Sequence, residues 1–134
     1  MNILLDTHIA LWYLKGDQKL SKKARAVIDG RANDIYFSIA SMWEIEIKHI
    51  LHPDKMICSG SDVLDLCEKA DFILLPLTPD HIKSLHTLRR PKKAIPHNDP
   101  FDKILICQAK TEEMTFITHD DLLTSYNERC VTMV

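Results

Sequence analysis

Short apolar runs alternate along the chain with stretches whose apolar residues recur at helical spacing. The short runs predict buried strands, at Asn2–Leu5, Asp34–Ser38, Asp71–Pro76, Thr115–Thr118 and Cys130–Met133. The longer stretches predict helices, at His8–Leu14, Leu20–Ile28, Ser41–His49, Ser61–Ala70, Pro79–Leu88, Pro100–Lys110 and Leu122–Tyr126. Strands that alternate with helices are typical of an α/β fold. We expect a three-layer α/β/α sandwich around a mainly parallel five-stranded sheet.

Acidic residues gather where the predicted strands end. Ligands of parallel α/β proteins bind beyond the carboxyl ends of the strands. The acids at those ends, or at the start of the next helix, are Asp6, Glu44, Asp99, Asp102, Asp120 and Asp121. Carboxylates that converge need a positive partner, and hard divalent cations prefer oxygen ligands. The pattern therefore predicts a Mg²⁺ or Mn²⁺ site of the kind that activates water and neutralises a scissile phosphate.

Most of these acids also fit a structural role at the start of a helix. The structural alternatives are a capping box of Ser41 with Glu44, an N-cap at Asp99 before Pro100, a dipole contact of Asp102 and a cap at Asp120 or Asp121. Asp6 is the exception, because Thr7 is the expected cap of the first helix. A charge directly after a buried strand gains little from capping, so Asp6 is the strongest indication of a metal site.

Composition narrows the class of protein. A chain of 134 residues fits a single domain spanning 1–134. No apolar run approaches the ~20 residues of a membrane helix, and the N-terminus lacks the basic start of a signal peptide. We therefore expect a cytoplasmic protein without membrane contact. The four cysteines form no zinc-binding pattern and are expected to be reduced thiols.

Four motifs resemble those of the PIN-domain family in order and in spacing. They are Leu4-Leu5-Asp6-Thr7-His8 with Leu11-Trp12, Ser41-Met42-Trp43-Glu44-Ile45 with Lys48, His97-Asn98-Asp99-Pro100-Phe101-Asp102-Lys103 with Gln108-Ala109, and Ile117-Thr118-His119-Asp120. The resemblance extends from Asn2 to the C-terminus and is closest to the VapC-type toxins of bacterial toxin–antitoxin pairs. It implies a Mg²⁺- or Mn²⁺-dependent endoribonuclease that hydrolyses RNA phosphodiester bonds.

The resemblance also implies roles for individual residues. Asp6, Glu44 and Asp102 would be the core catalytic and metal-binding acids, with Asp120 the fourth and Asp99 a further ligand. In the implied mechanism an activated water attacks the phosphodiester in line, and Asp102 or Asp120 orients the water or accepts its proton. The implied partners are RNA, a small antitoxin encoded by a neighbouring gene, and a second copy of the chain in a homodimer.

A basic segment leads directly into the acidic residues, although the net charge of the chain is only −2. Its cations are expected to hold RNA phosphates beside the carboxylates, the alternative being a solvated loop; they are Arg89, Arg90, Lys92 and Lys93. The other residues that would extend this surface are Lys48, His52 and Lys55.

Two sets of aromatic residues are expected to have less direct roles. Trp12 and Trp43 fit core packing or a partner-binding groove better than stacking on bases. Three histidines adjoin acids but are not expected as ligands, because a hard cation prefers oxygen; they are His8, His97 and His119.

Two other functions are compatible with parts of the sequence. An aspartate after the first strand is also typical of phosphoaspartyl phosphotransfer or hydrolase domains. Those domains usually need a second acid nearby, whereas Thr7 and His8 follow Asp6. A non-catalytic PIN-like binding or regulatory protein would keep the fold without the chemistry, but all four core acids are present. A metal-dependent hydrolysis assay separates the three functions.

Overall fold

Five parallel strands form the central sheet of the computed structural model, which describes residues 1–134. The strands are β1 (Asn2–Leu5), β2 (Asp34–Ser38), β3 (Ile73–Leu75), β4 (Thr115–Thr118) and β5 (Val131–Met133). Their order across the sheet is β3-β2-β1-β4-β5, and every neighbouring pair runs parallel. The predicted five-stranded parallel sheet is confirmed.

Helices connect the strands at all the predicted places. They are α1 (Thr7–Lys15), α2 (Lys22–Asp29), α3 (Ile39–Leu51), α4 (Gly60–Lys69), α5 (Pro79–Lys83) and α6 (Pro100–Glu112). The helix predicted over Pro79–Leu88 is a short α5 followed by a 3₁₀ helix, Ser84–Thr87, and the last predicted helix is a 3₁₀ helix, Asp121–Tyr126. None of the helices has the length and apolar character that crossing a membrane requires.

Helices pack on both faces of the sheet, as the side chains of β1 illustrate. Ile3 and Leu5 point to one face, where they pack with buried residues of α1, α2 and α4. Leu4 points to the opposite face and packs against α6 and the 3₁₀ helix Asp121–Tyr126. Both faces of β1 are buried, which explains why its sequence is continuously apolar rather than alternating. The predicted three-layer sandwich is confirmed.

Two predicted helix starts are wrong. The helix α3 begins at Ile39 because the Ser38 side chain accepts a hydrogen bond from the Ala40 backbone amide, so Ser38 is the cap. Ser41 therefore lies inside the helix, and the capping box of Ser41 with Glu44 does not form. The helix α1 begins at Thr7 itself, and no side-chain hydrogen bond caps it.

The strand order places a crevice at the carboxyl ends of β1 and β4. The chain adds β2 and β3 on one side of β1 and then crosses over to add β4 and β5 on the other. Loops on either side of such a reversal diverge, which leaves room for a ligand between them. The residues that follow β1 and β4 therefore face each other across this crevice.

A buried polar contact joins the sheet to α6. The Ser38 hydroxyl donates to Gln108 Oε1, and Gln108 Nε2 donates to the Pro76 carbonyl at 3.3 Å. Both Ser38 and Gln108 are fully buried.

We expect Gln108→Leu to lower the free energy of unfolding by about 1–3 kcal/mol, because it leaves buried polar groups without partners. Urea denaturation measures this change. Thr111→Ala, at an exposed position of the same helix, is the control and should have little effect. Equal stabilities of the two variants would contradict the importance of this contact.

Candidate metal centre

All five acids predicted to bind metal line one pocket at the carboxyl edge of the sheet. This acidic pocket has a volume of about 200 Å³ and is lined by no hydrophobic residue. Its lining residues are Asp6, Thr7, His8, Glu44, Lys48, Asp99, Asp102, His119 and Asp120. The pocket therefore brings together carboxylates from the ends of β1 and β4, from the second turn of α3 and from the start of α6; Glu44, expected in the first turn of its helix, lies one turn further because α3 begins at Ile39.

Asp6 lines the acidic pocket and is only 3% exposed. Its Oδ2 accepts a hydrogen bond of 2.6 Å from the Thr118 hydroxyl at the end of β4. Burial raises the pKa of Asp6, and the Thr118 hydrogen bond and the nearby His8 lower it by smaller amounts. The sequence alone does not predict that Thr118 binds Asp6, because this contact depends on β4 lying beside β1.

Glu44 enters the pocket from α3 and is 4% exposed. The Thr7 hydroxyl donates to Glu44 Oε1 at 2.9 Å and lies 2.8 Å from the Ser41 hydroxyl oxygen. Lys48 Nζ, one turn further along α3, lies 2.7 Å from Glu44 Oε2. Thr7 and Ser41, the predicted helix caps, have other roles: Thr7 donates to the Glu44 carboxylate and Ser41 contacts Thr7.

Asp102 lies in the first turn of α6 beside a buried histidine. Its Oδ2 is 3.1 Å from His97 Nε2, and His97 Nδ1 is 2.7 Å from the Tyr126 hydroxyl. Burial, together with repulsion from surrounding carboxylates, raises the pKa of Asp102 to about 8; these carboxylates are Asp6, Asp99, Glu44 and Asp120. Burial and the Arg90 cation lower the pKa of His97. Both groups are therefore mostly uncharged at neutral pH, and a cation that enters the pocket would favour ionisation of Asp102 alone.

Asp99 and Asp120 also serve as helix caps, which confirms the two capping roles predicted for them as structural alternatives. Asp99 Oδ1 accepts from the backbone amides of Phe101 and Asp102, at 2.9 and 3.3 Å. Asp120 Oδ1 accepts from the Leu122 amide at 3.0 Å. In both residues the capping bonds use one carboxylate oxygen, so the second oxygen is free for a ligand.

The donors in the acidic pocket fit a hard divalent cation. They are carboxylate oxygens, which Mg²⁺ and Mn²⁺ prefer. The mutual repulsion that raises the Asp102 pKa is the interaction that a cation relieves. Ligand atoms of His97, Asp102 and Asp120 lie within 4.8 Å of one another. Both ring nitrogens of His97 already contact protein groups, which favours carboxylate ligands over the histidine.

Comparison with known proteins identifies the family. A family model described as "PIN domain" matches residues 3–128 of the chain. The chain belongs to the PIN domain family. None of the curated proteins that were compared with this PIN domain matches it significantly.

Solved structures share the fold of this PIN domain over nearly its whole length. One is VapBC2 from Rickettsia felis, bound to a DNA fragment from the VapBC2 promoter, with 14% sequence identity and a TM-score of 0.69. The match covers 100% of this chain and 98% of that chain. FitAB bound to the IR36 DNA fragment matches with 21% identity and a TM-score of 0.57, covering 98% and 93%. FitAcB from Neisseria gonorrhoeae matches with 19% identity and a TM-score of 0.56, covering 98% and 95%.

The arginines of the basic segment donate hydrogen bonds within the PIN domain. Arg89 donates to the carbonyls of His86 and Leu88. Arg90 donates to the Ser125 hydroxyl at 2.6 Å and to the Ile95 carbonyl, and its guanidinium carbon lies 5.3 Å from the centre of the Tyr126 ring. The lysines of the segment, Lys92 and Lys93, are exposed. The RNA-binding role of these four cations stays a prediction.

The two tryptophans lie in different surroundings. Trp12 is partly buried, packs against the core, and has its ring 4.5 Å from that of His119. Trp43 is 59% exposed, and its ring lies 5.2 Å from that of Phe101. Trp43 borders a groove that we call the apolar groove, lined by Ala40, Trp43, Leu77, Ile82, Leu85, Pro100, Phe101 and Ile104. A partner-binding groove therefore fits the surroundings of Trp43 better than those of Trp12.

The raised pKa of Asp102 predicts a pH-dependent loss of stability in the absence of divalent cations. Between the ordinary carboxyl value of 3.8 and about 8, the folded protein keeps a proton on Asp102 that the unfolded chain has lost. Stability from this group is thus fully present below pH 3.8 and is lost as the pH rises through about 8. Asp102→Asn removes the penalty.

In EDTA above pH 8, we expect Asp102→Asn to raise the melting temperature by at least about 4 °C, the shift that about 1 kcal/mol produces in a domain of roughly 100 residues. The difference should shrink towards pH 4. Asp54→Asn, an exposed carboxylate outside the pocket, is the control. A lower melting temperature for Asp102→Asn at high pH would mean that the Asp102 charge stabilises the fold.

Proposed function

We propose that this PIN domain is a Mg²⁺- or Mn²⁺-dependent endoribonuclease that hydrolyses RNA phosphodiester bonds. The observation that supports it most is the acidic pocket, in which five carboxylates converge without a hydrophobic lining residue. Such a pocket repels a phosphodiester unless a cation balances the carboxylates. Membership of the PIN domain family over residues 3–128 supports the same function.

Asp6, Glu44 and Asp102 would hold the cation, with Asp120 as a fourth ligand and Asp99 as a further one. A bound divalent cation supplies positive charge at the scissile phosphate and makes water a better nucleophile. Thr118 and Thr7 hold the carboxylates of Asp6 and Glu44 in place by hydrogen bonds. These hydroxyls limit the freedom of the two most buried acids before any ligand enters.

We assign proton transfer to Asp102 or Asp120, which are less buried than Asp6 and Glu44. The side-chain hydrogen bonds of Asp102 and Asp120 use one oxygen of each carboxylate. Either acid can therefore orient the attacking water or accept its proton through the other oxygen. Lys48, paired with Glu44 at 2.7 Å, adds a positive charge to the pocket wall and reduces its repulsion of phosphate.

The proposal extends to the biological setting of a toxin. The solved structures similar to this chain include VapBC2 and FitAB, each bound to a DNA fragment. We infer that the chain is the toxin of a toxin–antitoxin pair and that a small antitoxin is encoded next to it. Co-expression with the adjacent reading frame, followed by affinity purification, tests this pairing.

The apolar groove is the surface that we assign to a homodimer. Seven of its eight lining residues are hydrophobic, and Trp43 and Ile82 are more than half exposed there, at 59% and 52%. Exposed apolar patches of this kind are typical of protein–protein interfaces. A second copy of the chain would cover the groove without blocking the acidic pocket, with which it shares no lining residue.

The proposed activity predicts that the protein cleaves a labelled pool of short random-sequence RNA with Mn²⁺ or Mg²⁺ and stops when EDTA is added. Asp102→Asn should fold but lose activity by orders of magnitude, because a neutral amide binds Mg²⁺ far more weakly than a carboxylate. Asp99→Asn should lose less, since asparagine caps helices about as well as aspartate.

Calorimetric titration with Mn²⁺ gives an independent measurement and should show the same order of effects. Asp54→Asn, outside the pocket, is the control for both assays. Cleavage that EDTA does not affect would contradict the metal mechanism. Metal binding without cleavage would favour a non-catalytic binding protein, and a stable acyl phosphate on Asp6 would favour a phosphoaspartyl enzyme.

The proposed homodimer predicts that Trp43→Glu produces a monomer, because a charge in the apolar groove has no partner when buried. Light scattering coupled to size-exclusion chromatography measures the mass. Ile57→Glu is the matched control, since Ile57 is 74% exposed and lies outside the groove. A dimer that survives Trp43→Glu would place the interface elsewhere.

A further inference from the structure

A second pocket, with the opposite charge, adjoins the acidic pocket. This basic pocket has a volume of about 270 Å³ and is lined by His8, Lys48, His52, Lys55 and Met56. It contains no acidic side chain, and it shares His8 and Lys48 with the acidic pocket. A ligand that lies across these two shared residues therefore contacts both pockets.

The end of α3 builds the basic pocket. Glu44 and Lys48 lie four residues apart on one side of the helix, and His52 is the residue that follows its last turn. The helix ends at Leu51, and the chain turns back so that the amides of Lys55 and Met56 donate to the His52 carbonyl, at 3.0 and 2.9 Å. These backbone bonds fix Lys55 beside the helix end.

A second contact, to a histidine side chain, holds Met56 against the helix. Its carbonyl lies 2.8 Å from His49 Nδ1. The turn after α3 is thus held by backbone and histidine contacts, without an ion pair from Lys55. The Lys55 backbone is held by the fold, and its ammonium group has no acidic partner.

The two lysines of the basic pocket differ in whether an acidic residue already pairs with them. Lys48 is paired with Glu44, and its charge also favours the negative end of the α3 dipole. Lys55 lies beyond the helix, is exposed, and takes part in no ion pair or side-chain hydrogen bond. By contrast, Arg89 and Arg90 of the basic segment direct their guanidinium groups to protein acceptors. Lys55 is thus a cation without an ion-pair partner, in a pocket that adjoins the acidic pocket.

We propose that the basic pocket binds a backbone phosphate of single-stranded RNA, adjacent to the phosphate that enters the acidic pocket. This inference rests on the proposed ribonuclease function. Two lysines and two histidines among its five lining residues supply groups that can donate to a phosphate. The RNA strand passes over His8 and Lys48, and Lys55 contacts the neighbouring phosphate.

Lys55→Gln tests the proposal by fluorescence anisotropy with a 5′-labelled pool of short random-sequence RNA in EDTA, which prevents metal-dependent cleavage. We expect severalfold weaker binding that does not depend on the RNA sequence. The salt dependence should fall with it, the slope of log K against log salt losing about 0.7 for the lost phosphate contact. Lys55→Arg should restore both values.

Lys69→Gln is the matched control. Lys69 is an exposed lysine in the last turn of α4, which leads into the amino end of β3, whereas the acidic pocket lies at the carboxyl ends of the strands. Binding and salt slope should match those of the unsubstituted protein. Thermal melting checks that all variants fold. Equal effects of Lys55→Gln and Lys69→Gln, or none from either, would overturn the basic pocket as a phosphate site.

A separate cleavage assay of the same RNA pool with Mn²⁺ distinguishes a failure of the basic-pocket proposal from a failure of the proposed ribonuclease function. If the unsubstituted protein cleaves RNA and Lys55→Gln raises KM with little change in kcat, both are supported. If it cleaves RNA and Lys55→Gln changes neither binding nor KM, only the basic pocket is wrong. If no RNA is cleaved, the ribonuclease function is wrong and the inference that rests on it falls too.

Discussion

Repulsion among carboxylates at one edge of a buried parallel sheet is the constraint on which the surrounding structure depends. The most buried acids keep their places because neighbouring groups hold them: the Thr118 hydroxyl binds Asp6, and Thr7 and Lys48 hold Glu44. Asp102 is not balanced by an ion pair, and its pKa rises to about 8. The pocket is therefore an electrostatically unfavourable arrangement in isolation, which is a common property of sites built for a ligand.

The parts of the site that sequence reasoning found are those with a local signature. Asp6 follows a continuously apolar strand, and Asp99 stands before Pro100 at a helix start, so both positions can be read from a few neighbouring residues. Thr118 cannot be found in this way, because its contact with Asp6 requires β4 to lie beside β1 with Leu5 opposite Ile117. That pairing is a property of the strand order.

The errors at the helix starts have a related cause. Ser38 and Ser41 both precede apolar residues at helical spacing, and either hydroxyl is chemically able to cap the helix. The Ser38 side chain occupies the cap position because β2 ends there. Ser41 lies inside the helix, and its hydroxyl contacts Thr7 instead. Local propensity ranks residue types at a cap but does not decide between two candidates three residues apart.

The hydrogen bond between Thr118 and Asp6 joins residues 112 positions apart in the chain, and this separation has a consequence for folding. Closing such a long loop is slow, and proteins dominated by distant contacts fold slowly. During synthesis, β1, β2 and β3 emerge long before β4, so the chain carries Asp6 and Glu44 without the partners that complete the pocket. A nascent or partly folded chain consequently lacks the complete acidic pocket, which can form only after the last third of the sequence has been made.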